Sequence, residues 1–587
     1  MACLLSDLPD ELIHTILLFA DAKAAIALGQ TSRKFHKIAD AALLWRHHCL
    51  SDFKYWDVRH GLPERLLLPV ASTPWKRLYA DHYKVDVTVS RLLDDILSSQ
   101  AGRIQKYHEI ASFGYDAKDA LLRETLLSPF VHNNLARRHY SRSVLGFIHR
   151  STAISTWANL RQGANIPIEQ ALGAFDLFMS VGTHDLDWIS SQLDNLAGKI
   201  RSSCSTFYEL TPRQKATVIA DYLINNQLTG ISEDAEYHCL THNFLGMALK
   251  GPVHNSLPLI SATLYCAVAR RLNLDAHPCG FPFHVHVIVR PQPGFDMNGD
   301  TVTGDRSGEL MFLDPFHSSE EIPISALQDQ LQYLGARVSS AASFLSPYGT
   351  PETVLRCGKN ILNSVSRLSR SRGNDLEVLN ARHAALWSSV LLSKFDPVYE
   401  PHGQVSEIDM IKRYLPALVE SIDTNFAPDI DLVKRYIIPL FSGTPEYGVL
   451  AEGFHAMRVA DGTPKQIRRR IAKPYYVNYR IGQVFAHRRY GYRGIIIGWD
   501  PRCEAEEQWM QNMGVDNLQS GRHQSFYHVM VEDKTTRYVA EENIWPIHPF
   551  WSELPQSLVE GAGQYFKRWD LESRTFVSNI RDQYPDD

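Results

Sequence analysis

The chain has 587 residues, 44% hydrophobic and 21% charged. That is too long for one core and fits roughly four domains at the usual size, while the composition excludes wholesale disorder and fibrous folds. A formal charge of −5 gives no global sign of a nucleic-acid or membrane-surface protein. The eight cysteines show no CxxC spacing and are too sparse for a disulfide scaffold or a zinc finger, which points to a reducing compartment. The N-terminus turns acidic within seven residues and has no signal-peptide pattern. The longest apolar run, SLPLISATLYCAVA (256–269), contains a proline, ends in Arg270-Arg271 and reads as a buried helix rather than a membrane span. The expectation is a soluble protein of the cytoplasm, the nucleus or both, with no membrane partner.

Residues 5–50 predict a small helical unit. Pro9 suits the start of a helix, where its missing N–H costs nothing, and Asp10-Glu11 suit its positive end. Leu12, Ile13, Ile16, Leu17 and Phe19 occupy two faces, followed by helices around 24–30 and 35–38 and a closing Leu43-Leu44-Trp45. So short a unit buries little by itself, so the second apolar face implies a partner. The run LPDELIHTIL…IALGQTSRKFHKIA…LLW resembles the F-box motif nearly end to end. The resemblance implies docking on a Skp-type adaptor, and through it on a cullin scaffold, with Leu8, Pro9, Ile13, Ile16 and Trp45 at the adaptor-contacting positions.

From 73 to 205 the pattern is mostly helical, as in SRLLDDILSSQ (90–100) and IEQALGAFDLFMS (168–180). Thr211-Pro212 predicts a capped helix start. A buried helix within 254–274 precedes HPCGFPFHVHVIV (277–289), a Pro/Gly/Asp-rich loop and LMFLDPF (310–316). The expected order is helix, strand with His284 at its start, loop, and a second strand ending in Asp314. A histidine and an aspartate on neighbouring strands is how a Cys-His-Asp hydrolase orients its base. Asn243-Phe244-Leu245, the 257–274 helix, GFPFH and DPF resemble the transglutaminase-like core of the Sir-B type, from about 166 to 316 and weakly into 356–365.

That resemblance implies a nucleophilic Cys at the start of the long helix, where Pro258 stands, with His284 and Asp314 at the other two triad positions. Proline supplies no thiolate. Cys266 lies eight residues on, about 12 Å away at the helical rise, and Cys279 reads as a structural core residue. A metal at His284 and His286 has no evident third ligand in the sequence, so neither metal nor other cofactor is expected. The core reads as a degenerate enzyme kept as a platform.

Residues 317–470 return to helical patterns, with 376–397 and 431–441 as packed helices and 341–352 and 399–404 as connections. Residues 475–546 carry β-branched and aromatic runs broken by glycines, predicting four or five short strands in a closed or half-closed barrel. IGQVFAHRRYGYRGII, an insertion at Trp509, FYHVMVED and YVAEENI resemble the YccV/HspQ-type domain, often labelled hemimethylated-DNA-binding. Nine basic residues and no acidic ones fall in 465–493, interleaved with Tyr475, Tyr476, Tyr479, Tyr490 and Tyr492, whereas 475–546 as a whole has eight basic and nine acidic residues. Arg488, Arg489, Tyr490 and Arg493 are the candidate contacts to a target protein or, less favoured, to nucleic acid.

The fold class expected is multidomain α+β: an F-box at 1–50, a helical linker region at 51–165, the transglutaminase-like core at 166–340, a helical extension at 341–470, the YccV-like β domain at 471–550 and a tail at 551–587. The order of modules implies a non-catalytic substrate-recognition subunit of an SCF-type ubiquitin ligase. Two rivals stay open: a thiol enzyme using Cys279 with His284 and Asp314, and a DNA-associated factor using the arginines of the C-terminal module.

Overall fold

A computed structural model describes residues 5–127, 133–179, 182, 184–233, 236–302, 309–335, 342–368, 375–396, 406–470 and 477–587. The chain is α+β and divides into two compact units, Met1–Ile148 with Arg458–Asp587, and His149–Met457. No helix among the described residues is long and apolar enough to cross a membrane.

The first unit opens with helices α1 (Asp10–Phe19), α2 (Ala22–Gly29), α3 (Arg33–Ala39) and α4 (Ala42–Asp52). Asp21 accepts the Ala24 N–H at 2.6 Å to cap α2, and Ser32 accepts the Phe35 N–H at 3.2 Å to cap α3. Ile13, Leu17, Phe35, Ile38 and Leu44 form the small core between these helices. Trp45 and Cys49 face the other way, into a second cluster with Trp75 and Tyr79 of α5 (Trp75–Ser98). The four-helix piece is thus welded to the helix that follows it.

In the second unit, α6 (Ile168–Met179), α7 (Leu186–Ser203), α8 (Pro212–Asn225) and α9 (Pro258–Arg271) precede four short strands. Helix α8 begins with the expected cap: Thr211 and Gln214 form a reciprocal capping box with Pro212 in the first turn. Helix α9 is buried along nearly its whole length and packs against α6, α7 and α8, as a helix apolar on every side must. Strands β1 (Asp275–Pro278), β2 (Val287–Arg290), β3 (Met311–Asp314) and β4 (Ser318–Ile322) form an antiparallel meander in that order. Strand β2 starts three residues after His284, not at it, because Pro282 and the left-handed Phe283 (φ 64°) hold that stretch out of the ladder. Helices α10 (Thr350–Arg367), α11 (Leu376–Leu391) and α12 (Glu407–Asn425) follow. The expected helix at 431–441 breaks: an α-helix at Ile430–Tyr436 gives way to a 3-10 turn at Ile438–Phe441 around Pro439. Part of the expected connection at 341–352 instead pairs with the end of β1, Tyr348 N–H donating to Pro278 O at 2.8 Å. The connection expected at 399–404 lies outside the described residues.

Inside this unit Asp176 of α6 is fully buried and accepts the Met247 N–H at 3.2 Å. Burial pushes its carboxyl up to about 7. The native state therefore holds a proton that an unfolded Asp releases near pH 4. Stability should fall as pH rises from about 4 to 7, by up to about 4 kcal/mol. Urea midpoints at pH 5 and 7.5 check this: Asp176→Asn should flatten the difference, and an unchanged slope would refute the assignment.

The C-terminal part of the first unit contains β5 (Val484–His487), β6 (Arg493–Asp500), α13 (Glu507–Met513), β7 (Phe526–Val531), β8 (Thr536–Ala540) and β9 (Ile544–Ile547). The sheet runs β8-β7-β6-β5-β9 and stays open at both edges, so the closed form of the expected barrel is not present. Residues 551–587 are no tail. Helix α14 (Gln556–Ala562) and the hairpin β10 (Phe566–Asp570) with β11 (Thr575–Ser578) place Leu558, Phe566, Phe576 and Tyr584 in one core with Phe485, Trp499 and Tyr527. Nor is the stretch up to residue 148 a linker. Gln100 donates to Asp582 from backbone (2.8 Å) and side chain (2.9 Å), and Tyr140 OH donates to Gln564 O at 2.9 Å.

Candidate functional site

Three places carry the residues singled out by the sequence. On α1, spacing divides the apolar residues. Ile13 and Leu17 point into the core, while Leu12, Ile16 and the 90%-exposed Phe19 form an outward stripe. Ile26 of α2 and Leu43 and Leu50 of α4 are exposed as well. Of the five expected contact positions, Ile16 and Pro9 are exposed and Leu8 is half-buried against the core. Ile13 and Trp45 are interior, Trp45 donating its ring N–H to Ala39 O at 2.7 Å, so a partner docking on this fold meets neither.

In the second unit His284 and Asp314 come together as expected, Nε2 lying 3.0 Å from Oδ2. Asp314 closes β3 at a bulge where the ladder with β4 shifts register, which turns the carboxylate out of the sheet. Its Oδ1 accepts the Phe316 N–H at 3.2 Å, and Oδ2 also lies 2.7 Å from His317 Nδ1. Burial opposes the charged carboxyl, but the imidazoles of His284 and His317 beside it outweigh that and hold the group down to about 2. His286 is 5% exposed, neither ring nitrogen is hydrogen-bonded to a described residue, and burial lowers it to about 4.

Pro258 is the first residue of α9 and lines a cavity of about 70 Å³ with Tyr237, Phe283, Arg356 and Asn360. Cys279 is buried, its thiol donating a hydrogen bond to Phe344 O at 3.1 Å, and burial pushes the thiol up to about 11, the opposite of an activated nucleophile. Cys266 is fully buried and raised further still. The larger cleft of this unit, about 1020 Å³, is lined by Glu169, Arg270, Arg271, Asp275 and Arg290 among others, and includes none of His284, Asp314 or His317. Its size does not make it the reactive centre, since Glu169 is already paired with Arg270 and Arg271.

The basic stretch 465–493 is not one surface. Arg468 pairs with Asp500 and Glu504, Arg469 with Asp586 and Arg470 with Asp587. Arg493 pairs with Glu532 at 2.7 Å, both side chains being partly exposed. Lys473, Tyr475 and Tyr476 lie outside the described residues. The turn between β5 and β6 remains as an exposed cluster. Arg488 stacks on Trp545 (4.8 Å), Arg489 on Tyr490 (5.3 Å) and Arg537 on Tyr492 (4.4 Å). Exposed aromatic faces with guanidinium partners suit a protein interface or a nucleic-acid strand equally.

Family models match three stretches: F-box-like at 5–51, Transglutaminase-like superfamily at 187–359, and Hemimethylated DNA-binding protein YccV like at 477–573. Among curated proteins, F-box only protein 21 of Pongo abelii is 24% identical over 431 residues, covering 72% of this chain and 63% of the relative. The Homo sapiens protein of that name is 23% identical over 430 residues with the same coverage. The Mus musculus protein is 24% identical over 389 residues, 65% of this chain and 57% of the relative. The chain is homologous to F-box only protein 21. It spans about 63% of the length of the first two of those relatives. No solved structure matches it.

The sequence reading missed several residues at these sites. His317 directly follows the DPF motif, and that position, three residues after Asp314, is its signal. Leu12, Phe19 and Leu43 carried their signal in helical spacing. Trp545 and Arg537 carried none, being placed by sheet pairing alone.

Proposed function

We propose that this chain is a substrate-recognition subunit of an SCF-type ubiquitin ligase. The outward stripe of Leu12, Ile16 and Phe19, on a helical unit that matches the F-box model, supports this reading best. It is an apolar patch left exposed among the described residues, the kind that marks a docking surface. In this reading the stripe binds a Skp-type adaptor, through it a cullin scaffold, and the rest of the chain holds the target protein in the cytoplasm or nucleus. The chain itself performs no covalent chemistry: Pro258 stands where a nucleophile would be needed, and Cys279 is buried and protonated. The transglutaminase-like core is then a platform, and the Arg488–Trp545 and Arg489–Tyr490 stacks are the surface for the target.

Co-expression with a Skp-type adaptor tests the reading by size exclusion. The wild-type chain should co-elute with the adaptor, and Leu12→Asp/Phe19→Asp, two exposed positions that leave the core intact, should elute alone. A wild-type chain that elutes alone, or a variant that still co-elutes, overturns the reading. The second reading, nucleic-acid binding, rests on the same arginine–aromatic stacks. Its mark would be steeply salt-dependent DNA binding lost in Arg488→Ala/Arg489→Ala.

A further inference from the structure

We propose that His284, Asp314 and His317 form a binding site for a divalent transition metal, zinc being the best match to the donor set. Two imidazoles and one carboxylate, with a position left for water, are a common ligand set for zinc and its neighbours. The three side chains offer ligand atoms that all lie within 4.8 Å of one another. The proposal does not depend on the ligase reading.

The fold builds this convergence from two loops. The three-residue turn between β3 and β4 folds His317 back over Asp314, held by the His317 N–H donating to Asp314 O at 3.1 Å. His284 arrives from the loop before β2, where the left-handed Phe283 sets its direction. Both imidazoles address the same carboxylate oxygen, at 3.0 Å and 2.7 Å. Ligands on a tetrahedral ion with bonds of 2.0–2.1 Å stand about 3.3 Å apart. His317, on an exposed turn, is the side chain able to adjust to that spacing.

Hydrogen bonding alone leaves this cluster incomplete. His284 Nε2 is buried and makes no aligned hydrogen bond, although Asp314 Oδ2 is 3.0 Å away. Beside it His286, ring centres 4.9 Å apart, has two buried nitrogens without partners among the described residues. Buried polar nitrogens are rarely left so in a folded protein. A metal ion accepts the lone pair of His284, and a water on that ion offers His286 a partner that the described residues do not supply. The ligands additional to His284 come from the end of β3 and the turn after it, and His286 stands beside them.

The test uses the full chain, stripped with a chelator and titrated with Co²⁺ while visible absorption is recorded. Zn²⁺ is then titrated against a chromophoric chelator. One ion per chain is expected, with the strong visible bands of a tetrahedral cobalt site. His317→Ala, at an exposed position, and the isosteric Asp314→Asn should each weaken binding by more than about 100-fold. Cys239→Ser, an exposed thiol elsewhere, should leave it unchanged. A thermal melt of each variant confirms folding. Absence of saturable binding, or binding that survives both His317→Ala and Asp314→Asn, overturns the proposal.

Discussion

Asp429→Ala is expected to destabilise the unit 149–457 by about 3–5 kcal/mol, the usual effect of stranding a buried charge. Asp429 is fully buried and receives Arg150 in a forked pair, Nε at 2.9 and 3.0 Å and Nη2 at 2.7 Å. His383 Nε2 lies 2.9 Å from its other oxygen, and Ser421 holds His383 Nδ1 at 3.0 Å. Phe426 covers the imidazole in a parallel stack at 3.9 Å. Burial works against the carboxylate's charge, yet Arg150 and His383 outweigh it and lower its pKa. With Asp429 removed, the buried Arg150 loses its forked carboxylate contact. The double variant Arg150→Met/Asp429→Leu should recover most of the loss, because apolar groups of similar size have no charge to desolvate. Chemical denaturation of wild type, single and double variants measures this. An Asp429→Ala protein within about 1 kcal/mol of wild type would show that the pair contributes little.

Gly482→Ala is expected to cost about 3 kcal/mol or more, from left-handed strain and overpacking together. Gly482 sits at φ 90°, and a Cβ there would overlap the carbonyl oxygen of Phe576. It is also a joint: its N–H donates to Ile496 O at 2.8 Å and its carbonyl accepts the Phe576 N–H at 2.9 Å. The C-terminal hairpin is seated on the sheet at this point. Gly491, at φ 72° with open space where its Cβ would be, isolates the backbone term. Gly491→Ala should cost only about 1–2 kcal/mol. Equal losses at the two sites would mean that contact with Phe576 does not matter.

Much of the fold was legible from local chemistry. The division of α1 into two apolar faces follows from 3.6-residue spacing, and the Thr211–Gln214 capping box from residue types at fixed offsets. The buried α9 follows from an apolar run too short to span a bilayer, and Asp314 at a strand end from the run that precedes it. Which face of α1 is the core was not legible: Ile13 and Ile16 are alike in type, and only packing on α3 and α4 separates them.

The sequence alone determined the order of the modules, the absence of a cysteine at the head of α9, and the residue types available at each site. These are properties of neighbours along the chain, where spacing and propensity act directly. Tertiary structure decided that 551–587 completes a core instead of trailing from it, with helices before residue 148 holding it from more than 400 positions away. It also decided that the arginines of 468–470 are neutralised by Asp500, Asp586 and Asp587, leaving the Arg488–Trp545 stack exposed. And it decided that His317 faces His284 across Asp314. Each of these depends on contacts between distant segments, and such contacts leave no period in the sequence because chain folding, not spacing, brings the partners together.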